Sequence, residues 1–266
     1  MIDTPFSRMF GLQHPVALAP VPGQAHARLA AAVSEAGGLG IVGAGAADAR
    51  QIPKLLTEAG ETAVACGLFC DVLSDHPDIL PEVLRHRPRA ICLSRGDPRR
   101  FSDALQRARV PIICVACTVQ DAKRAVEAHA DVIIAQGTGA SGQSSSRTMF
   151  SLVPELADHI HDAAHDTLLL ASGGVADSRT LAATIALGAD GAVMGTRLFL
   201  SQEAGLSQAQ QVQALSSDGD EALREASSFG QGIGLVRSVT PVADILNTVS
   251  RRAERILSHS IRAVVR

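Results

Sequence analysis

"TLLLASGGVADSRTLAATIALGADGAVMGT", Thr167 to Thr196, holds an apolar run, a glycine turn, a stretch of helical period and a second apolar run. Leu168 to Ala171 has no polar interruption, as expected of a parallel strand covered on both faces. "DSRTLAATIALGAD" is the Ala- and charge-rich stretch of helical period, and Gly188 is a common helix stop. The segment is therefore a β–α–β unit.

The same alternation recurs along the chain. The other strand candidates are "PVALAP", "LGIVGAG", "TAVACGL", "RAICLS", "VPIICVAC" and "ADVIIAQG", which with "TLLLASGG" and "DGAVMGT" make eight. Ala- and charge-rich stretches such as "HARLAAAVSEAGG" and "VQDAKRAVEAHAD" separate them. Eight β–α units in 266 residues predict an α/β protein, a closed (β/α)8 TIM barrel, in a single domain spanning 1–266. The barrel is expected over about 14–200 and a C-terminal helical closing segment over about 201–266, where "PVADILNTVSRRAERIL" is amphipathic. A doubly wound open sheet is the alternative; it has fewer strands and carries its nucleotide loop after the first.

A formal net charge of −3, scattered along the chain, gives no reason to expect nucleic acid or an anionic membrane. No run of about 18 apolar residues and no leader pattern occur, so a soluble, cytoplasmic protein is expected. Five cysteines read as reduced thiols. Cys114-x-x-Cys117 lacks a second pair, so core packing is favoured over a metal site and no metal is expected. The expected partner is a small-molecule substrate, with room for a homodimer.

Barrel enzymes carry their chemistry at the C-terminal strand ends. Glycines after strands seven and eight, in "ASGGVADS" and "MGTR", would let backbone N–H groups approach a phosphate. Thr196 adds a hydroxyl and Arg197 a countercharge; tight turns are the plainer reading. "GGLGIVGAG" lacks the third glycine and the acidic residue of a dinucleotide fingerprint and is read as a turn. No lysine falls at a strand end, which disfavours Schiff-base chemistry.

With "AQG" on strand six, "ASGGVADSRTLAATIALGADGAVMGTRLFL" and "FGQGIGLVRSVTPVADIL", nearly the whole chain resembles the nitronate monooxygenase (2-nitropropane dioxygenase-like) family, to which flavin-dependent enoyl reductases are related. The resemblance implies noncovalent FMN over the strand ends. Matched position by position, it implies cofactor contacts from Ala19, Pro20, Gln136, Gly137, Ser172, Gly173, Gly174, Gly195, Thr196, Gly230 and Gln231. Where the family has its catalytic histidine, this chain has Gln143, an amide with no useful basicity. Phe69 replaces a common asparagine, and Val21 stands where relatives usually have methionine.

The function expected is that of an FMN-dependent oxidoreductase of nitronate monooxygenase type, acting on a small pre-ionised substrate with O2 as acceptor. An NAD(P)H-dependent reductase of a quinone or enoyl group and a catalytically altered flavin-binding paralogue are the alternatives. His26, just after strand one, is a substitute base candidate, with an exposed first-turn helix residue as the plainer reading. Phe69, Arg147 and Phe150 are candidate substrate contacts, with core packing the plainer reading for the two Phe; Arg147 lies on a serine-rich stretch that reads equally as a lid receiving an anion or as a plain flexible loop.

Overall fold

The computed structural model describes residues 2–43, 45–140, 146–163, 166–224 and 229–264. The strands are β1 (Val16–Leu18), β2 (Ile41–Gly43), β3 (Ala65–Phe69), β4 (Ile91–Ser94), β5 (Ile112–Ala116), β6 (Val132–Gln136), β7 (Leu168–Ser172) and β8 (Gly191–Met194). All pair in parallel, in the order β1-β8-β7-β6-β5-β4-β3-β2. Leu39 closes the ring: its N–H donates to Val16 O and its carbonyl accepts from Leu18 N, each at 2.9 Å. A TIM barrel results, and the open-sheet alternative falls.

Period-two alternation sorts the strand residues onto two faces. Ala17, Ile41, Ala65, Cys92, Ile113, Ile134, Leu170 and Val193 pack inside the barrel. Their neighbours, among them Cys66, Leu93, Cys114, Ile133 and Ala171, pack outward under the helices. Cysteine thus serves both layers, and burial pushes the Cys70 and Cys92 thiols up to about 12.

The strands are shorter than their apolar runs. β1 ends at Leu18 although "PVALAP" reaches Pro20, because a proline nitrogen cannot extend a ladder. The residues released at the strand ends become the walls of a cavity.

The opposite end is plugged by a helix the sequence reading assigned no role. Thr4 and Ser7 form a reciprocal capping box that starts helix Pro5–Met9. Phe6 and Phe10 then enter the barrel core, ring centroids 5.4 Å apart, and the Arg89 guanidinium donates to the Phe10 carbonyl. Phe6 is fully buried. Phe6→Ala should therefore cost about 3–5 kcal/mol of stability, read as a lower urea midpoint with an unchanged m-value.

After β8 the chain forms helices Gln208–Ser216 and Gly219–Arg224 and a 3-10 turn, Gln231–Leu235. A satellite core of Ala176, Leu200, Ala214, Ile233 and Val236 fixes that turn beside the loop after β7. Helix Val242–Val264 buries Val242, Ile245, Leu246, Val249 and Ala253, one stripe at helical spacing, and packs on helix Ser178–Ala186.

Candidate active site

A cavity of about 640 Å³ opens at the C-terminal ends of the strands, a volume in the range of small-molecule and cofactor sites. Its floor is apolar, from Val115, Ile134 and Val193. Ala19, Pro20 and Val21 form one wall after β1. Pro20 can lie low because two glycines face it. A Cβ on Gly43 would come within 2.5 Å of the Pro20 carbonyl, and one on Gly67 within 2.6 Å of its Cβ. Gly43 therefore serves close backbone packing here.

The facing wall is built from loops tied together by main-chain bonds. Gly137 N donates to Ser172 O at 2.9 Å, joining the ends of β6 and β7. Gln231 N donates to Gly139 O at 3.1 Å, and Gly230 N donates to the buried Thr196 hydroxyl at 2.8 Å. The loop after the barrel is thereby locked to the ends of β6 and β8. Thr196 accepts in that bond, which leaves its own hydrogen to donate. Gly173 has φ +124°, and a Cβ there would sit 2.9 Å from Thr138 O. Gly174 has φ +75° and nothing within 4 Å of where its Cβ would be. The first glycine is needed for close packing; the second leaves an open cradle.

Gln136, Ser172, Gly173, Gly174, Gly195 and Thr196 all line this cavity, as do Ala19, Pro20 and Phe69. Gly137 stands behind the wall, where a Cβ would meet Met149 N at 2.6 Å. Gly230 and Gln231 hold the loop through their amides, while Gly232 beside them lines the cavity.

Several candidates are elsewhere. His26 caps helix Ala27–Glu35: its Nδ1 accepts from Leu29 N at 3.3 Å and its Nε2 donates to Ala204 O at 3.0 Å. Both ring nitrogens are occupied in bracing the fold, so His26 is not placed to act as a base. Arg147 pairs with Glu155 of helix Met149–Ala163, and Phe150 is 77% exposed on that helix's first turn. Arg197 points away from the glycine cradle, donating to Leu200 O and Ser238 O at 3.2 Å and to Thr240 Oγ1 at 3.0 Å. Burial lowers its pKa, yet a guanidinium keeps its proton. It clamps the C-terminal segment and is not a phosphate countercharge. Gln143 lies outside the described residues.

One cavity residue escaped the sequence reading. Arg95 follows β4 and lines the cavity, its guanidinium 4.7 Å from the Phe69 ring centroid and its Nη2 3.2 Å from Asp71 Oδ2. Among the described residues that line the cavity, no other side chain is charged, and none is a carboxylate, imidazole, thiol or amine.

A family model described as nitronate monooxygenase matches residues 3–66 and 72–231. Nitronate monooxygenase of Neurospora crassa is 32% identical over 221 residues, 68% of this chain and 58% of that protein. Nitronate monooxygenase of Pseudomonas aeruginosa is 30% identical over 252 residues, 74% of this chain and 69% of that protein. The match thus spans less than two thirds of the Neurospora protein. Among solved structures, FabK from Thermotoga maritima superposes with a TM-score of 0.88 at 22% identity, covering both chains fully. Nitroalkane oxidase from Streptomyces ansochromogenes gives 0.75 at 19% identity, covering 96% of this chain and 100% of that one. Those two likenesses concern the fold. The family match spans the strand ends that wall the cavity, and this chain belongs to the nitronate monooxygenase family of flavin-dependent oxidoreductases.

Proposed function

We propose that this chain is an FMN-dependent oxidoreductase that oxidises a small, already ionised carbon acid such as an alkyl nitronate, with O2 as electron acceptor. The composition of the cavity wall carries this reading. Among the described residues that line it, no side chain can remove a proton from carbon near neutral pH. A nitronate has already lost that proton. A neutral nitroalkane has not, and general acid–base help is worth about 10²–10⁴-fold.

The residues present fit FMN. Gly173 packs where any side chain would collide, Gly174 leaves the space in front of it open, and the Thr196 hydroxyl can donate. Gly173, Gly174, Gly195 and Thr196 would hold the phosphate, and Ala19, Pro20, Gln136 and Ser172 would contact the ring system. When bound, FMN supplies two-electron redox chemistry. The chain's own part is to place the substrate over an apolar floor, exclude bulk water and offer amide and hydroxyl hydrogen bonds. Its five free cysteines, four of them buried, suit a cytosolic setting.

The test is the anaerobic visible spectrum of the purified protein before and after addition of ethyl nitronate. The flavin band should bleach with the nitronate, and at least about 100-fold more slowly with nitroethane. A band that persists with nitronate but bleaches with NAD(P)H would replace the proposal with the reductase. A protein that binds no flavin would remove the cofactor assignment.

A further inference from the structure

We propose that Arg95 is the anion-recognising residue of this cavity, holding a planar two-oxygen anion of the substrate on the side opposite the glycine cradle. The identity of that anion as a substrate rests on the oxidoreductase reading; the binding itself does not. In the ring order β4 stands four strands from β8 in either direction, so Arg95 and Thr196 face each other across the mouth.

The arginine is held there by the chain. Arg95 itself has φ 54°, a left-handed conformation uncommon for a residue with a side chain. Gly96 follows with φ 124°, against helix Cys70–Asp75, where a Cβ would lie 2.9 Å from Cys70 Cβ. Asp71 N donates to the Arg95 carbonyl at 3.1 Å and fixes the turn. Strained backbone of this kind persists where its surroundings over-determine it, often beside a ligand. The result is a guanidinium stacked on Phe69 at the cavity wall.

Its chemistry is specific. A guanidinium stays protonated and cannot serve as the missing base; it presents a planar fork of five donors that matches two oxygens in a plane. Asp71 engages Nη2, which leaves donors for a ligand. Its side chain is 46% exposed, so the attraction to an anion is open to screening by salt. Arg147, the cation that the sequence offered for an anion, is instead engaged by Glu155. Carboxylate and nitronate share the recognised geometry, and the two are separated below.

The experiment titrates butyrate and butyramide into the purified protein by calorimetry, for the native chain, Arg95→Met and Arg95→Lys. Methionine keeps an apolar contact with Phe69, and lysine keeps the charge. Arg95→Met should bind butyrate about 10- to 100-fold more weakly, the value of a charge-assisted pair, with butyramide unchanged. Arg95→Lys should recover part of the loss, and butyrate affinity in the native chain should fall with salt. The KM for ethyl nitronate is then compared: a matching rise in Arg95→Met assigns the nitronate head, and no rise assigns a carboxylate elsewhere on the substrate. Equal weakening of butyrate and butyramide, or no change in butyrate affinity and nitronate KM, overturns the proposal. Flavin content separates the two ideas. A flavin-free protein defeats the oxidoreductase reading, while the heats of butyrate binding still decide Arg95.

Discussion

Gly173→Val should yield protein that folds but purifies with little flavin, while Gly174→Ala should keep its thermal stability within a few degrees and bind FMN about 10- to 100-fold more weakly. The two adjacent glycines differ in why they are glycine. At Gly173 the backbone sits at φ +124°, and a Cβ would press on Thr138 O at 2.9 Å and Gly137 O at 3.0 Å. Those are backbone atoms of the loop after β6, so relief requires that loop to shift, and the conformation itself costs about 1–3 kcal/mol for a residue with a side chain. The displaced loop carries Gly139, whose carbonyl holds the Gln231 amide, so the disturbance reaches the loop that closes the cavity. At Gly174 nothing lies within 4 Å of an added Cβ, and φ +75° falls near the left-handed region that alanine enters at about 1–2 kcal/mol. The methyl group would occupy only the open cradle. Flavin-to-protein absorbance ratios and melting temperatures, taken together, decide the matter. If Gly174→Ala bound FMN with native affinity, the phosphate would have to be held elsewhere.

The barrel was legible because a parallel strand buried on both faces is an unbroken apolar run, and eight such runs alternate with helical stretches. Most of the cavity wall was legible for a related reason: once strands are located, their C-terminal ends follow. Side-chain destinations beyond the strands were not. His26 looks like a mouth residue in sequence, but its ring is taken by Leu29 N and, 178 residues away, by Ala204 O. Arg147 looks like a lid cation, but Glu155 shares its surface two helical turns on. Arg95 lies in "SRGDPRR", a charged stretch with the composition of a solvated loop. Its side chain is half exposed, and its place at the cavity wall depends on a positive φ and on the Phe69 ring from another strand, and neither leaves a periodic signal. Phe6 was silent for the same reason, since five helical residues are too few to show a period.

Gln143→His should speed anaerobic flavin reduction by nitroethane by about 10²–10⁴-fold and leave the reaction with ethyl nitronate within a few-fold of native. The reasoning is differential. Both substrates deliver the same electron pair, but only the neutral one must first lose a proton from carbon. In the native chain the cavity wall, among its described residues, offers no group to take it. Native turnover of nitroethane should then follow the fraction of substrate ionised in solution, rising with pH until the substrate itself is fully ionised. A histidine at the position that the resemblance assigns to the family's acid/base would add an enzyme-borne base with an ordinary pKa near 6.5. The sign follows: imidazole accepts a proton only when neutral, so the gain should be small well below that pH and complete above it. The variant's nitroethane profile would acquire a rise near pH 6.5 that the native profile lacks. Apparent rates of flavin bleaching across pH 5 to 9, for both proteins and both substrates, test this. A native rate for nitroethane already as fast as for nitronate would mean that a base acts from outside the described wall, and the pre-ionised substrate class would fall with it.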